Sequence, residues 1–332
     1  MTDLELFGLE DNPKLSTLRF DNEEDWLELR TKGIGGSDIG AIMGLNKYTS
    51  PLQIYKQKVE GYHKDLSDNV NVKKGKDLED FILVNYVKPH FLKQGYIVHK
   101  PDFMIINSDM DFIRANVDGI GCSVVKKASA NNIIIEIKYV SEHAEVNWNG
   151  EDYCGVPASY YAQVQLYLAV TGAKEGYVCA LFDSNWEVKY YRIPRDEMFI
   201  LKLIGAARKF YNIHMMTKIP PLVTASLDKE EAVEAVKSAP APTTPSSEMS
   251  DLIRKYKEVN AKIKELEKFK NKASDALFKY FQTGHYPDDP TLSFKVSTVT
   301  TSRFNSTKFK AAHPEMYDEY VEESSYTKTM VK

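Results

Sequence analysis

Cysteine is scarce in this chain, and long apolar runs are missing from it. Cys122, Cys154 and Cys179 stand far apart. No two have the spacing of a zinc-ligand pair, and an odd count fits a reducing compartment better than a disulfide scaffold. No stretch of about 18 apolar residues occurs, so no membrane-spanning helix is expected. The opening MTDLELFGLEDNPK is acidic and without an apolar run, and is not expected to be a secretory leader. Neither sign of charge dominates, with a formal net charge of −4 over 332 residues. That argues against a polycationic nucleic-acid coat but leaves room for a local basic groove. GxxxxGK[ST], HExxH and GxSxG are all absent, which excludes the usual ATP-driven motor, zincin and serine-hydrolase signatures. The seven histidines are scattered, and His143 reads as a surface residue. A cytoplasmic protein with no membrane contact is the expectation.

What is present suits a packed core, with 43% hydrophobic and 27% charged residues. Composition shifts between Pro220–Pro221 and the run SAPAPTTPSS at residues 238–247, where proline among Ser, Thr and Ala prevents helix and packed sheet. The expected organisation is a body over residues 1–217, a flexible linker over 218–247 and an appendage over 248–332. A short helix is allowed in the linker at residues 228–237. The appendage opens on a heptad of Leu252, Tyr256, Val259, Ile263 and Leu266, interrupted at Lys270 and resumed by Ala273, Leu277 and Tyr280. A strand at 292–300 and a helix at 305–321 are expected after it.

Within the body, helices are predicted at 25–32, 51–59, 75–86, 160–170 and 197–216, with Ser37 as the N-cap of a further one. Strands are predicted at 103–106, 112–117 and 132–140, and a hairpin at 176–193. This mixture implies an α/β fold, a central mixed sheet covered by helices on both faces.

The strand NNIIIEIKYV carries the strongest chemical signal. Side chains alternate across a strand, so Ile133, Ile135 and Ile137 face a covering helix while Ile134, Glu136 and Lys138 face the other way. An acid and a base inside so apolar a strand are costly unless paired or metal-bound. Eighteen residues before Glu136, Asp118 is expected to close the preceding strand, and a hairpin would set the two carboxylates side by side. At about 4 Å they would repel by about 4 kcal/mol at an effective dielectric of 20, a penalty that a hard divalent cation removes. Such an ion polarises phosphoryl oxygens and activates water, and a neighbouring Lys can neutralise developing charge. Taken singly, these residues also fit a buried Glu–Lys pair beside a turn-forming Asp–Gly.

Together, Asp118 and Glu136-Ile137-Lys138 match the D…(D/E)xK signature of restriction-endonuclease-like nucleases. The chain resembles, more narrowly, the YqaJ-like viral recombinases, relatives of phage lambda exonuclease. The resemblance rests on RTKGIGGSDIGAIMGLNKYTSP from Arg30, GKDLE from Gly75, Val117-Asp118-Gly119 with Glu136-Ile137-Lys138, and YAQVQLYLAVTG from Tyr161. It implies a restriction-endonuclease-like core with a C-terminal helical appendage. It also implies that Asp118, Glu136 and the backbone carbonyl of Ile137 bind Mg²⁺, for which Mn²⁺ can substitute. Lys138 would assist the attacking water, and Glu79 and Gln163 would support the site. Arg30 and Ser37 would grip phosphate, which independently suits a guanidinium fork and a helix start.

The activity implied is resection of linear duplex DNA from 5′ ends, leaving a 3′ single strand for a single-strand annealing protein. A homo-oligomeric ring is the assembly implied. A related endonuclease and a non-catalytic DNA-binding scaffold on the same fold stay open as alternatives. A nuclease with a four-cysteine iron–sulfur cluster does not fit three scattered cysteines.

Overall fold

The computed structural model describes residues 2–62, 68–125, 131–224, 226–238, 245–288 and 305–320, with single positions 296 and 300. Two compact units divide the chain, residues 1–232 and 233–332. The first opens with α1 (Asp3–Leu6), β1 (Leu15–Arg19), α2 (Glu23–Thr31), the two-residue strand β2 (Ile34–Gly35) and α3 (Gly36–Ile42). There follow α4 (Pro51–Val59), capped by Ser50, and α5 (Val70–Ile82). A π-turn at Leu83–Val87 then leads into α6 (Lys88–Leu92). Pro89 lies two residues past that turn. It has no N–H to give the preceding carbonyl ladder, which accounts for the local widening.

The strands β3 (Tyr96–His99), β4 (Phe103–Asn107), β5 (Ile113–Arg114), β6 (Gly119–Ser123) and β7 (Ile133–Val140) come next. They are followed by α7 (Ala158–Thr171), β8 (Glu175–Phe182), β9 (Glu187–Pro194) and α8 (Glu197–Phe210). Five of the strands form one mixed sheet in the order β3-β6-β7-β8-β9, parallel between β7 and β8 and antiparallel elsewhere. Two smaller pairings, β1 with β4 and β2 with β5, lie outside it.

The β-branched run makes β7 the middle strand, and its alternation divides the core in two. Ile133, Ile135 and Ile137 pack with Ile82, Leu83, Val87 and Phe91 from the α5–α6 side. Ile134 belongs to the larger cluster with Val164 and Leu168 of α7. Helices therefore cover both sheet faces, as the pattern of elements implied. α3 lies against α7 at a small-residue contact. A Cβ at Gly36 would sit 2.5 Å from the Tyr167 ring, and one at Gly40 would sit 2.8 Å from Ser159, so only glycine permits this approach.

Several elements differ from expectation. The expected strand at 112–117 shrinks to Ile113–Arg114 plus a bridge at Ala115. The helix expected at 75–86 begins at Val70, capped by Asn69. Ser37 is not an N-cap; Gly35 holds that place, and the Asp38 carboxylate accepts the Gly35 N–H at 2.7 Å.

The body also runs past residue 217. Residues 218–224 and 226–232 dock on α4: the Tyr55 hydroxyl donates to the Lys218 carbonyl at 2.8 Å and Gln53 donates to the Leu227 carbonyl at 3.1 Å. The Ser50 hydroxyl donates to buried Asp228 at 2.5 Å, and Lys56 pairs with Glu231. A single Asp among polar residues carries little periodic signal, which is why the segment read as linker. It ends in α9 (Lys229–Ser238), close to the helix allowed there.

The second unit contains α10 (Ser247–Gln282), α11 (Ser306–Ala312) and α12 (Pro314–Tyr320). The heptad falls within α10, none of whose residues is buried. The strand expected at 292–300 lies outside the described residues. Among the described residues, no helix is long and apolar enough to cross a membrane.

Candidate active site

Antiparallel pairing of β6 with β7 places Gly119 opposite Ile135, and the residue before Gly119 is brought to the residue after Ile135. Asp118 thus stands beside Glu136, although it precedes β6 rather than closing an earlier strand. Its carboxylate accepts the Ile137 N–H at 2.7 Å. In an extended strand the N–H and C=O of one residue face the same edge. The Ile137 carbonyl therefore lies on the side that Asp118 occupies, beyond the last β6 pair.

Glu136 is buried, with 2% of its surface exposed. Its Oε1 accepts from Lys138 and, at 2.7 Å, from the Gln163 amide. Its Oε2 is buried without a hydrogen-bond partner, an arrangement that is rare in folded proteins and invites a cation or water. Among the described residues no three His, Cys, Asp or Glu side chains converge as a metal cluster. The donor set is two carboxylates and whatever the backbone adds. Two adjacent acids, one half-buried and the other buried with an oxygen left over, fit a hard divalent ion.

The electrostatics agree. Burial and then the Glu136 charge hold the Asp118 carboxyl well above the usual carboxylate range. Burial likewise raises Glu136, although Lys138 and Gln163 act against the rise. Burial opposes the charge on Lys138, but Glu136 and Asp118 more than offset it, so its ammonium holds its proton beyond the ordinary lysine range. Lys138 in this setting is a donor and a positive charge rather than a base. Its Nζ also lies 5.0 Å from the centre of the Tyr160 ring.

A cavity of about 160 Å³ opens from this point, lined by Asp118, Gln163, Tyr167, Arg30, Ser37 and Arg114 among others. Gln163 joins its two parts, lining the cavity while donating to Glu136 and, at 2.9 Å, to the Tyr167 hydroxyl. Arg30 stacks over Trp26, 4.7 Å from the ring centre, and donates to the Ser37 hydroxyl at 2.8 Å. Asp38 lies 3.7 Å from Arg30 and 2.6 Å from the buried Lys58 ammonium. Burial pushes the Asp38 carboxyl up, yet Lys58 and Arg30 more than reverse this and leave it below the usual value. Lys58 also donates to the Arg30 carbonyl at 2.7 Å, tying the side chains of α3 and α4 to the backbone of α2.

The structure brings Asp118, Glu136, Lys138 and Gln163 together, and it sets Arg30 and Ser37 on the cavity that Asp118 and Gln163 share. Glu79 is not on that cavity. Lys100 holds its Oε1 at 2.9 Å, while its charge still raises both Asp118 and Glu136. His143 is exposed. Sequence reasoning missed Tyr167, Arg114, Asp38 and Lys58. Tyr167 follows Gln163 by one helical turn, a spacing that puts both on one face of α7, and Asp38 adjoins Ser37. Nothing in the local sequence marks Lys58.

A model of the YqaJ-like viral recombinase domain matches residues 25–174. Over these residues the chain is similar to that domain family. The matched residues span Arg30 to Gln163, and so hold every side chain expected to act. The uncharacterized protein YqaJ of Bacillus subtilis (strain 168) is 26% identical over 320 residues, 94% of each chain. Among solved structures, an alkaline exonuclease from Laribacter hongkongensis is similar at 20% identity and a TM-score of 0.45, over 58% of this chain and 93% of that one. A phage-related exonuclease from Haemophilus somnus 129PT is similar at 16% identity and a TM-score of 0.41, over 58% of this chain and all of the other.

Proposed function

We propose that this YqaJ-like domain is a metal-dependent deoxyribonuclease that digests linear duplex DNA from its 5′ ends, leaving a 3′ strand for recombination. The observation that carries the reading is the unpartnered Glu136 Oε2 beside Asp118, on an acid that Gln163 links to the cavity of Arg30 and Ser37. Asp118, Glu136 and the Ile137 carbonyl would hold Mg²⁺ or Mn²⁺. That ion would polarise the scissile phosphate and make bound water nucleophilic at neutral pH.

The remaining work falls to the chain's own side chains. Lys138 keeps its proton and can donate to oxygen as negative charge develops there. Gln163 holds the Glu136 carboxylate in place from α7. Glu79 adds negative charge from α5 while bonded to Lys100. Arg30, its guanidinium already ordered by Trp26 and Ser37, offers charge-assisted hydrogen bonds to phosphate oxygen. The product strand would pass to a single-strand annealing protein, and a ring of copies around the duplex would keep the enzyme on its substrate.

The test is end-labelled linear duplex beside closed-circular duplex, each with Mg²⁺ or with chelator. The expected result is metal-dependent loss of linear DNA from the 5′ end while circles persist. Cutting of circles would favour the endonuclease reading, and binding without loss the non-catalytic one.

A further inference from the structure

We propose that Arg114 is a further phosphate-binding residue of this cavity, acting with Arg30 and Ser37 on the 5′-terminal phosphate of the strand being cut. The inference rests on the reading of the cavity as a DNA-end site. Parallel pairing of β2 with β5 sets Arg114 beside Gly35, so its backbone adjoins the turn that leads to Ser37. Its side chain runs past Gly33, where a Cβ would lie 3.0 Å from Arg114 Cγ, and it lines the cavity together with Arg30, Ser37 and Asp118.

The hydrogen bonding of this guanidinium is incomplete. Nη1 donates to the carbonyls of Asp111 and Ile113, and Nη2 reaches the Lys32 carbonyl at 3.5 Å. Nε is buried with no partner. Among the described residues, no carboxylate lies within ion-pair distance of Arg114. Asp38, the buried acid beside Arg30, is taken by Lys58 and Arg30. A partly buried cation held by neutral carbonyls and lining the cavity without a carboxylate partner suits an anionic ligand. Phosphate is such an anion, since guanidinium offers its oxygens parallel N–H donors. Arg114 stands four residues before Asp118 on the same chain segment. One short stretch would thus carry both a grip on the terminal phosphate and a ligand of the cutting site.

The experiment uses full-length protein, wild type and the variants Arg114→Ala, Arg114→Lys and Arg30→Ala. Each is given blunt duplexes with 5′-phosphate or 5′-hydroxyl ends, and kcat/KM is compared between the two. Wild type is expected to prefer the phosphorylated end. Arg114→Ala should shrink that preference by about tenfold to a hundredfold, the effect of losing a hydrogen bond to a charged group. Arg114→Lys should recover part of it. A merely structural role would slow both substrates alike and leave the ratio untouched. An unchanged ratio in Arg114→Ala, with Arg30→Ala losing the preference, overturns the assignment and leaves the end-binding reading standing. No end preference in wild type removes that reading and the assignment with it. If Arg114→Ala fails to fold, Arg114→Lys decides, because it keeps the charge and stem while losing the fork. A wild-type ratio in that variant would overturn the proposal.

Discussion

Asp118 is tied to the strand that carries Glu136 by one bond, the Ile137 N–H donating to its carboxylate at 2.7 Å. That bond holds two acids together in surroundings that raise both above the usual carboxylate range, chiefly through burial. A carboxyl raised on folding contributes stability that is present below its unfolded value, about 3.9 for Asp, and lost as pH rises through its folded value. Metal-free protein should therefore weaken toward alkaline pH. Asp118→Asn keeps an oxygen for Ile137 and removes the charge. We expect it to melt above the parent at pH 8 without metal, to match it below about pH 4, and to lose Mg²⁺-dependent cleavage. Added Mg²⁺ should raise the melting temperature of the parent far more than that of the variant. Identical metal-free melting at pH 8 would count against a burial penalty at Asp118.

Lys138 predicts a different pattern, because it is expected to meet the reaction and not the metal. Lys138→Met retains the stem over Tyr160 and removes the ammonium. We expect kcat to fall by about a hundredfold to a thousandfold, the usual loss when one donor to developing charge is removed. Mg²⁺ should still raise the melting temperature. Loss of that metal response would place Lys138 in the metal site itself.

The pair of Asp38 and Lys58 is a structural counterpart of this chemistry. Both side chains are almost fully buried and lie 2.6 Å apart. Asp38→Asn would strand the Lys58 ammonium, a loss of about 3–5 kcal/mol for a broken buried pair. Asp38 is held below its usual value, so its contribution is present above about pH 3.9 and is lost as pH falls through its lower folded value. Urea midpoints of parent and variant should therefore differ at pH 7 and converge at strongly acid pH. The double change Asp38→Asn with Lys58→Met should recover part of the loss, since it removes the stranded charge. No recovery would mean that packing, not the ion pair, is what Asp38 supplies.

The central strand was readable from sequence because its information is local. Alternation in Ile133–Lys138 alone separates the two core clusters, and an antiparallel neighbour then suffices to place Asp118. Gln163 and Tyr167 share a helix face, yet only tertiary packing shows that the face meets Glu136. Arg114 and Lys58 were invisible for the same reason: each acts through partners set by the meeting of distant elements. The limit of the body was misread at residues 218–232 because its anchors are single polar contacts, and polar residues leave no hydrophobic period to follow.

Those anchors lead to the final prediction, on truncation. Asp228 accepts from the Ser50 hydroxyl at 2.5 Å and from the Thr224 N–H at 2.8 Å while almost wholly buried. Cutting after Thr217 removes it and leaves the cap of α4 without its partner. It also removes the Lys56–Glu231 pair and the carbonyl acceptors of Tyr55 and Gln53. α4 carries Lys58, which holds both Asp38 and the Arg30 carbonyl, so loosening this helix should reach the proposed phosphate grip. Cutting after Ser238 keeps the whole docked segment and removes α10. We expect the longer fragment to fold cooperatively and retain metal-dependent cleavage, since the expected active-site residues all lie before it. The shorter one should melt lower and lose more activity on 5′-phosphorylated ends than on 5′-hydroxyl ends. In the full chain, Asp228→Ala should cost about 1–3 kcal/mol, the range for leaving a buried polar partner unsatisfied. Thermal melts of the three proteins beside their end preferences decide the matter. Equal melting of the two fragments would show that the contacts of Lys218, Leu227, Asp228 and Glu231 with α4 and its cap do not brace that helix.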